Sequence, residues 1–453
     1  MSNRIKLSVI GLIAVSAIAF SFMKAMACTR IFWSNSVAKM VARNMDWSFD
    51  DTPVMYVFPK GMTKSGASGD SNSATWVSDY GSVVVSSFGD QYIAADGVNT
   101  AGLSMHGLWL VATQFPSRNL SEPGVLEGRY GEFLLDKAAT VTDALALFNN
   151  YQVVPQSLYG EALAIHVALE DSTGDSAVVE FVGGQMKVYH GAAYDVLTND
   201  PTFDLQLENL LNYQYFQKGG TLSLPGDVDP ESRFVRATAF LSTLPSPSSV
   251  AQAVSSLLGA MRPETTTPGS GWFISSTFYQ ASPTQWTSLY DLTNKVAYFQ
   301  HMYPSNSFYV NMSNLNFAAG AQEMYLNAEQ PGLSGEVSSL FTPVTQGNFY
   351  ETAIDLGNGS KWLSWFGTLV PNSGGWLYHQ QLGWLWTDAT AQNSNIWFYD
   401  PQWNGRGGYW WTNSLSFPWL YSTVESKWLK FDAADSTPQS RKFYNTSGQL
   451  ETH

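Results

Sequence analysis

The 453-residue chain has a single cysteine, Cys28, so it can form no internal disulfide. Basic residues are also scarce, with 23 Lys and Arg against 37 Asp and Glu leaving a formal charge of −14. Nucleic acid and anionic lipid surfaces reward clustered cations, so neither is an expected partner. The chain contains no His-Glu-x-x-His, no Gly-x-Ser-x-Gly and no phosphate-binding loop, and it implies no metal site and no cofactor. His190, His301 and His379 stand isolated and read as structural or solvated side chains. His106 would partner Cys28 only in a papain-like arrangement, in which the nucleophile starts a helix inside a longer chain.

What is present begins at the N-terminus. Arg4 and Lys6 precede an apolar run from Leu7 to about Phe22, and Ala25-Met26-Ala27 forms the small-x-small pattern that a signal peptidase cuts after. Residues 1–27 are therefore read as a signal peptide whose removal leaves Cys28 first, on a periplasmic or secreted protein with no membrane insertion afterwards. An uncleaved anchor and a lipidated Cys28 are the alternatives, although a lipobox usually has Leu where this chain has Ala25. Cleavage also removes Arg4, Lys6 and Lys24, making the remaining chain more acidic still.

The composition suggests an α+β, strand-rich domain over residues 28–305. Strand-like runs include 81–87 and the alternating Leu163, Ile165, Val167 and Leu169. Helical stretches are expected over Asp143–Asn150 with Thr142 as cap, over Ser232–Leu241, and over Ser248–Met261. Residues 306–359, rich in Asn, Ser and Gly, read as linker or peripheral structure. From about Lys361 to Phe431 lie 11 of the 17 tryptophans, in phrases such as Gly375-Trp376-Leu377-Tyr378 and Gly383-Trp384-Leu385-Trp386. Residues 360–435 are expected to form a small β-rich aromatic-repeat module of stacked hairpins, with 436–453 as a tail.

An N-terminal cysteine carries a thiol and an α-amine with ordinary pKa values of about 8.5 and about 7.7 to 8.0. The neutral amine can therefore take the thiol proton and later return it to a leaving nitrogen, with no histidine required. A nearby cation would favour both the thiolate and the uncharged amine. The run Cys28–Trp33, the polar Ser34-Asn35-Ser36 and the run Ala38–Trp47 read as strand, turn and returning strand. Such a hairpin brings Arg43 and Asp46 beside Cys28, the first to tune the site and the second to orient the amine, while a plain strand-end salt bridge is the alternative reading.

Several blocks in order, Cys28-Thr29-Arg30, Ala42-Arg43-Asn44-Met45-Asp46-Trp47, Asp96-Gly97-Val98-Asn99, Gly102-Leu103, Leu197-Thr198-Asn199-Asp200-Pro201 and Ser232-Arg233-Phe234-Val235-Arg236, resemble the choloylglycine hydrolase family of penicillin V acylases and bile salt hydrolases. The resemblance runs from Cys28 to about Met302 and implies a four-layer αββα N-terminal nucleophile hydrolase. It implies Cys28 as nucleophile through a thioester, Arg43, Asp46 and Arg233 as site residues, and Asn199 as a side-chain donor to the oxyanion. By local sequence alone, Asn199 before Asp200-Pro201 reads as a turn residue.

The backbone amide at Trp109 would complete the oxyanion hole, at a position where many members have Asn or Tyr. Trp47 and Trp109 together resemble the Gram-negative branch, closest to its penicillin V acylases. This points to a small-molecule linear amide as substrate, with penicillin V and N-acyl homoserine lactones ahead of conjugated bile salts. Core packing is the alternative role for both tryptophans. The aromatic tail reads chiefly as packing, with a glycan or cell-wall contact as its other reading. A homo-oligomer is compatible with the sequence. The rival function is a surface-binding protein that acts through the aromatic module with an inactive hydrolase domain.

Overall fold

The computed structural model describes residues 28–452, apart from 90–91, 159–160, 275–276, 304, 345–348, 351–352, 388–395 and 415. Residues 1–27, the expected signal peptide, lie outside the described residues. Two antiparallel-rich sheets stack face to face. In the first, strand β1 (Thr29–Ser34) pairs with β2 (Lys39–Asp46), with Arg30 opposite Arg43 and Thr29 opposite Asn44. The Asn35 side chain closes the turn between them by accepting the backbone N–H groups of Val37 and Ala38. The second sheet is built around β3 (Ile93–Asn99), β4 (Leu103–Trp109) and β5 (Ile165–Asp171). The first sheet also contains β6 (Val196–Leu197) beside β1, and β7 (Thr284–Asp291) and β8 (Val296–His301) beyond β2.

Helix α1 (Glu127–Lys137) covers the outer face of the second sheet, while α2 (Pro230–Thr243) and α3 (Val250–Met261) cover the outer face of the first. The result is the αββα layering that the resemblance implied. Because both of their faces are covered, β7 is buried along its whole length and β2 beyond its first residue, although Thr284, Gln285, Thr287, Ser288 and Asp291 of β7 are polar. Gly97 permits the close approach of α1, since a Cβ there would stand 2.7 Å from Leu135 Cδ1 and 2.9 Å from Val83 O. Gly102 sits at φ +96° in the turn between β3 and β4. The Asn99 side chain gathers the backbone N–H groups of Ala101, Gly102 and Leu103, each at 3.0 Å, and donates to Leu135 and Ala138 carbonyls.

Some expectations need correcting. The helix placed after Thr142 spans Val141–Leu147, and its cap is Thr140, in a reciprocal capping box with Asp143. Thr142 lies inside the helix. Residues 306–359, read as linker or peripheral structure, contribute strands to both sheets: Ser307–Asn311 extends the first beside β8 and Met324–Asn327 joins the second beside Val54–Phe58. Each is paired on both sides, the first also with Ser334–Glu336 and the second also with Thr342–Pro343, so the short strands Ser334–Glu336 and Thr342–Pro343 form the sheet edges there.

The aromatic region is one 11-stranded antiparallel meander running from Ile354 to Thr452, so it begins before 360 and includes the expected tail. Its inward face packs Leu377, Leu385, Phe398, Trp410, Leu420 and Leu429 into a core of its own.

Candidate active site

Cys28 lies immediately before β1, buried, with its thiol 3.9 Å from the Asp46 carbonyl. The β1–β2 hairpin brings Arg43 to it as anticipated. Arg43 Nη2 is 3.7 Å from Cys28 Sγ and donates across the sandwich to the Gly107 carbonyl of β4 at 2.8 Å. The guanidinium lies 4.7 Å from the Trp286 ring of β7, and its Nε and Nη1 have no hydrogen-bond acceptor among the described residues. A buried cation so thinly satisfied is costly unless a negative group forms beside it.

Arg233 comes from the first turn of α2, where Asp229 caps the helix through Ser232 N–H at 2.8 Å and Pro230 occupies the opening turn. This placement aims the guanidinium at the head of β1. Nη1 donates to the Cys28 carbonyl at 2.7 Å and to Thr29 Oγ1 at 2.6 Å, while Nη2 donates to Asn199 Oδ1 at 3.1 Å. The other end of that amide, Asn199 Nδ2, donates to the Trp109 carbonyl at 2.8 Å. Asn199 does follow a strand end, as its local sequence suggests, yet its side chain bridges Arg233 and the end of β4. The structure therefore brings Cys28, Arg43, Asp46, Asn199, Arg233 and Trp109 into one place.

The electrostatics follow from burial. Desolvation raises the Cys28 pKa, opposed chiefly by the charge of Arg43, with the Asp46 charge adding to the rise. Asp46 is fully buried. Burial pushes its pKa up to about 7 against the pull of Arg233, the Thr284 hydroxyl, Arg43 and the Thr266 hydroxyl. Arg233 is lowered by desolvation, with Asp46 and Glu264 as the main opposing charges.

An aromatic pocket opens at the thiol. It is lined by Cys28, Arg43, Trp47, Phe88, Gly107 and Trp109, among others, and has about 30 Å³ of free space, room for little more than water. Trp47 stands 4.8 Å from Phe88 and 5.7 Å from Trp109, ring centre to ring centre. Both tryptophans thus pack with apolar neighbours and line the pocket at once, so the packing and pocket readings describe the same side chains.

His106 takes no part at the thiol. It is fully buried between Asp96 (2.9 Å) and Glu170 (3.1 Å), and these two carboxylates raise its pKa to about 9 in spite of desolvation, the largest single influence and an opposing one. Sequence reasoning missed Trp286 and Asp51. The Trp286 Nε1–H donates to Asp51 at 2.9 Å, and the indole forms a floor beneath Arg43. No local signal marks either residue, because their meeting depends on two strands and a loop more than 200 positions apart.

Residues 28–326 match the description "Linear amide C-N hydrolases, choloylglycine hydrolase family". Among relatives, the penicillin V acylase of Pectobacterium atrosepticum is 31% identical over 369 residues, covering 76% of this chain and 96% of that protein. A bile salt hydrolase/transferase of Bifidobacterium longum subsp. longum is 30% identical over 240 residues, covering 46% of this chain and 72% of the relative. Among solved structures, the penicillin V acylase from Agrobacterium tumefaciens superimposes with a TM-score of 0.63 at 31% identity, covering 70% of this chain and 98% of that one. A conjugated bile acid hydrolase from Clostridium perfringens shares the fold at TM-score 0.56 and 20% identity. The chain belongs to the choloylglycine hydrolase family and is a hydrolase of carbon–nitrogen bonds in linear amides.

Proposed function

We propose that Cys28, freed as the N-terminal residue by removal of residues 1–27, is the nucleophile of an acylase that works through a thioester. The observation that carries this reading is the incompletely satisfied Arg43 guanidinium, 3.7 Å from a buried thiol at the head of β1. A thiolate formed there gains a cation whose Nε and Nη1 have no acceptor among the described residues, which lowers the cost of ionising a thiol that burial holds protonated. The family match beginning at residue 28 also supports processing at that point.

In this reading the α-amine of Cys28, oriented by the Asp46 carboxylate, takes the thiol proton as sulfur attacks the amide carbonyl carbon. A free N–H of the Asn199 amide and the Trp109 backbone N–H receive the oxyanion, and Arg233 holds Asn199 and the Cys28 backbone in place. The carbon–nitrogen bond breaks as the ammonium returns its proton to the leaving nitrogen. Water then adds to the thioester carbonyl, the carbon–sulfur bond breaks, and the acid leaves with thiol and amine restored.

The aromatic pocket suits an apolar or aromatic acyl group, and penicillin V and N-acyl homoserine lactones are the proposed substrates. Its small free volume requires Trp47, Phe88 or Trp109 to shift as the acyl group enters. Conjugated bile salts are the second reading, favoured by the similarity to the Bifidobacterium bile salt hydrolase/transferase. Export to the periplasm or beyond is part of the proposal.

Intact mass and N-terminal sequencing of exported protein, with release assays on penicillin V, acyl homoserine lactones and a conjugated bile salt, test all of this. Expected are a chain starting at unmodified Cys28 and loss of amide cleavage in Cys28→Ala. A lipidated Cys28, or retained residues before it in active protein, would overturn the mechanism.

A further inference from the structure

The C-terminal meander holds a second surface that amide hydrolysis does not use. Its central strands are β9 (Trp376–His379), β10 (Gly383–Thr387), β11 (Ile396–Asp400), β12 (Gly408–Thr412) and β13 (Trp419–Ser422). Side chains alternate between faces along each strand. On these five strands every outward position is tryptophan or tyrosine, with no charged residue and no Leu, Ile, Val, Met or Phe among them, whereas the aliphatic side chains and Phe398 all point inward. The outward rings form cross-strand rows. In one of them Trp397 opposes Trp411, Trp411 opposes Tyr421, and Tyr421 opposes Trp428 of the following strand.

Packing alone does not account for this face. Trp384, Trp397, Tyr409 and Trp428 keep between 37% and 46% of their surface in water. Beside them lies a groove of about 440 Å³ lined by Asn372, Ser373, Trp376, Trp384 and Pro401, within the usual range of ligand sites. A contiguous exposed aromatic face on a soluble chain marks an interaction site.

The residue types select the occupant. A lipid or protein partner would be met by aliphatic side chains and Phe, which these five strands do not present outward, although Val370 lies opposite Tyr378 on the strand before them, and an anionic polymer would meet a chain of charge −14 with no outward cation on these strands and only Lys430 among the described residues opposite one of their rings, across from Trp419. Trp and Tyr combine a flat apolar ring with a hydrogen-bonding tip, and Asn372 and Ser373 add uncharged donors and acceptors. A neutral sugar polymer, with apolar C–H faces ringed by hydroxyls, is the complementary chemistry. We infer that the outward face of β9–β13, entered at the Trp376–Trp384 groove, binds a neutral polysaccharide and anchors the hydrolase to it. This inference is independent of the amidase mechanism.

The test is depletion of the full chain from residue 28 onward by cellulose, chitin and starch, with albumin as control. Vesicles of phosphatidylcholine and of phosphatidylglycerol, and sedimentation across a concentration series, run in parallel. Retention on at least one polymer, weakened tenfold or more by Trp376→Ala or Trp384→Ala with amide hydrolysis unchanged, is the expected result. If those variants misfold, bound oligosaccharide from the retaining polymer should shield Trp384 from oxidation by N-bromosuccinimide in the unaltered protein, read by peptide mass. Retention on no polymer, retention unchanged in both folded variants, absence of shielding, or capture instead by vesicles or by a second copy of the chain would each overturn the inference.

Discussion

Two guanidinium groups flank Cys28, and they differ in how fully they are occupied. Arg233 spends its donors on the Cys28 carbonyl, Thr29 and Asn199, so it builds the site, while Arg43 has N–H groups without an acceptor among the described residues and a ring beneath it. Under the proposed mechanism, Asn199→Ala should lower kcat by about 10² to 10³, about 3 to 4 kcal/mol of transition-state stabilisation, with a much smaller change in KM; steady-state kinetics on the preferred amide checks this. Trp286→Phe keeps a ring beneath Arg43 but removes the donor to Asp51, whose pKa burial already pushes up to about 6. Asp51 keeps the Ser87 hydroxyl as donor but loses the indole, and removing one donor from a buried acceptor costs about 1 kcal/mol, so the denaturant midpoint should fall accordingly.

At the level of elements, the caps decide where helices begin. Thr140 and Asp143 exchange hydrogen bonds at 3.1 and 3.2 Å, and Thr140→Ala should remove about 1 kcal/mol of stability, measured by chemical denaturation, without touching catalysis. The hairpin from Cys28 to Asp46 was legible because its signals are local: two apolar runs around a polar turn. The start of the helix Val141–Leu147 was misplaced by two residues because Thr140 and Thr142 offer the same side chain, and only the reciprocal bond with Asp143 separates them.

Between the sheets, His106 joins Asp96 and Glu170, and Glu170 in turn pairs with Arg30 of the first sheet. Removing one partner of such a buried set is expensive, and His106→Gln should cost about 3 to 5 kcal/mol by denaturant unfolding. With its pKa raised to about 9 from about 6.5, His106 contributes stability that is full below pH 6.5 and fades as the pH rises through 9.

On the scale of the whole molecule, a hydrolase sandwich and an aromatic meander each have their own core, and one histidine makes the second pH-sensitive. His379 donates from Nε2 to the Phe366 carbonyl at 2.7 Å and accepts the Gln381 and Leu382 N–H groups on Nδ1, an arrangement only the neutral ring can make. Desolvation lowers its pKa to about 4 from about 6.5. The unfolded chain therefore binds more protons between these values, and this stability, present above pH 6.5, is lost as the pH falls through 4, by on the order of 3 kcal/mol. Thermal unfolding followed by tryptophan fluorescence should show the meander transition moving down between pH 7 and pH 4.5, and His379→Gln should flatten that dependence.

The sequence by itself determined what is local or compositional: a lone cysteine after a cleavage pattern, a hairpin that returns Arg43 and Asp46 to it, an ordered set of motifs, and the scarcity of cations. Tertiary structure decided which distant residues meet, because strand neighbours are chosen by the packing of whole layers and not by any local period. That is why Arg233, 205 positions away, holds the Cys28 backbone, and why Trp286 lies under Arg43. It also decided which tryptophans face water. Both faces of the meander carry aromatic residues, so hydrophobicity alone cannot tell them apart, and only the closing of the inward face over its own core turned the other into a surface.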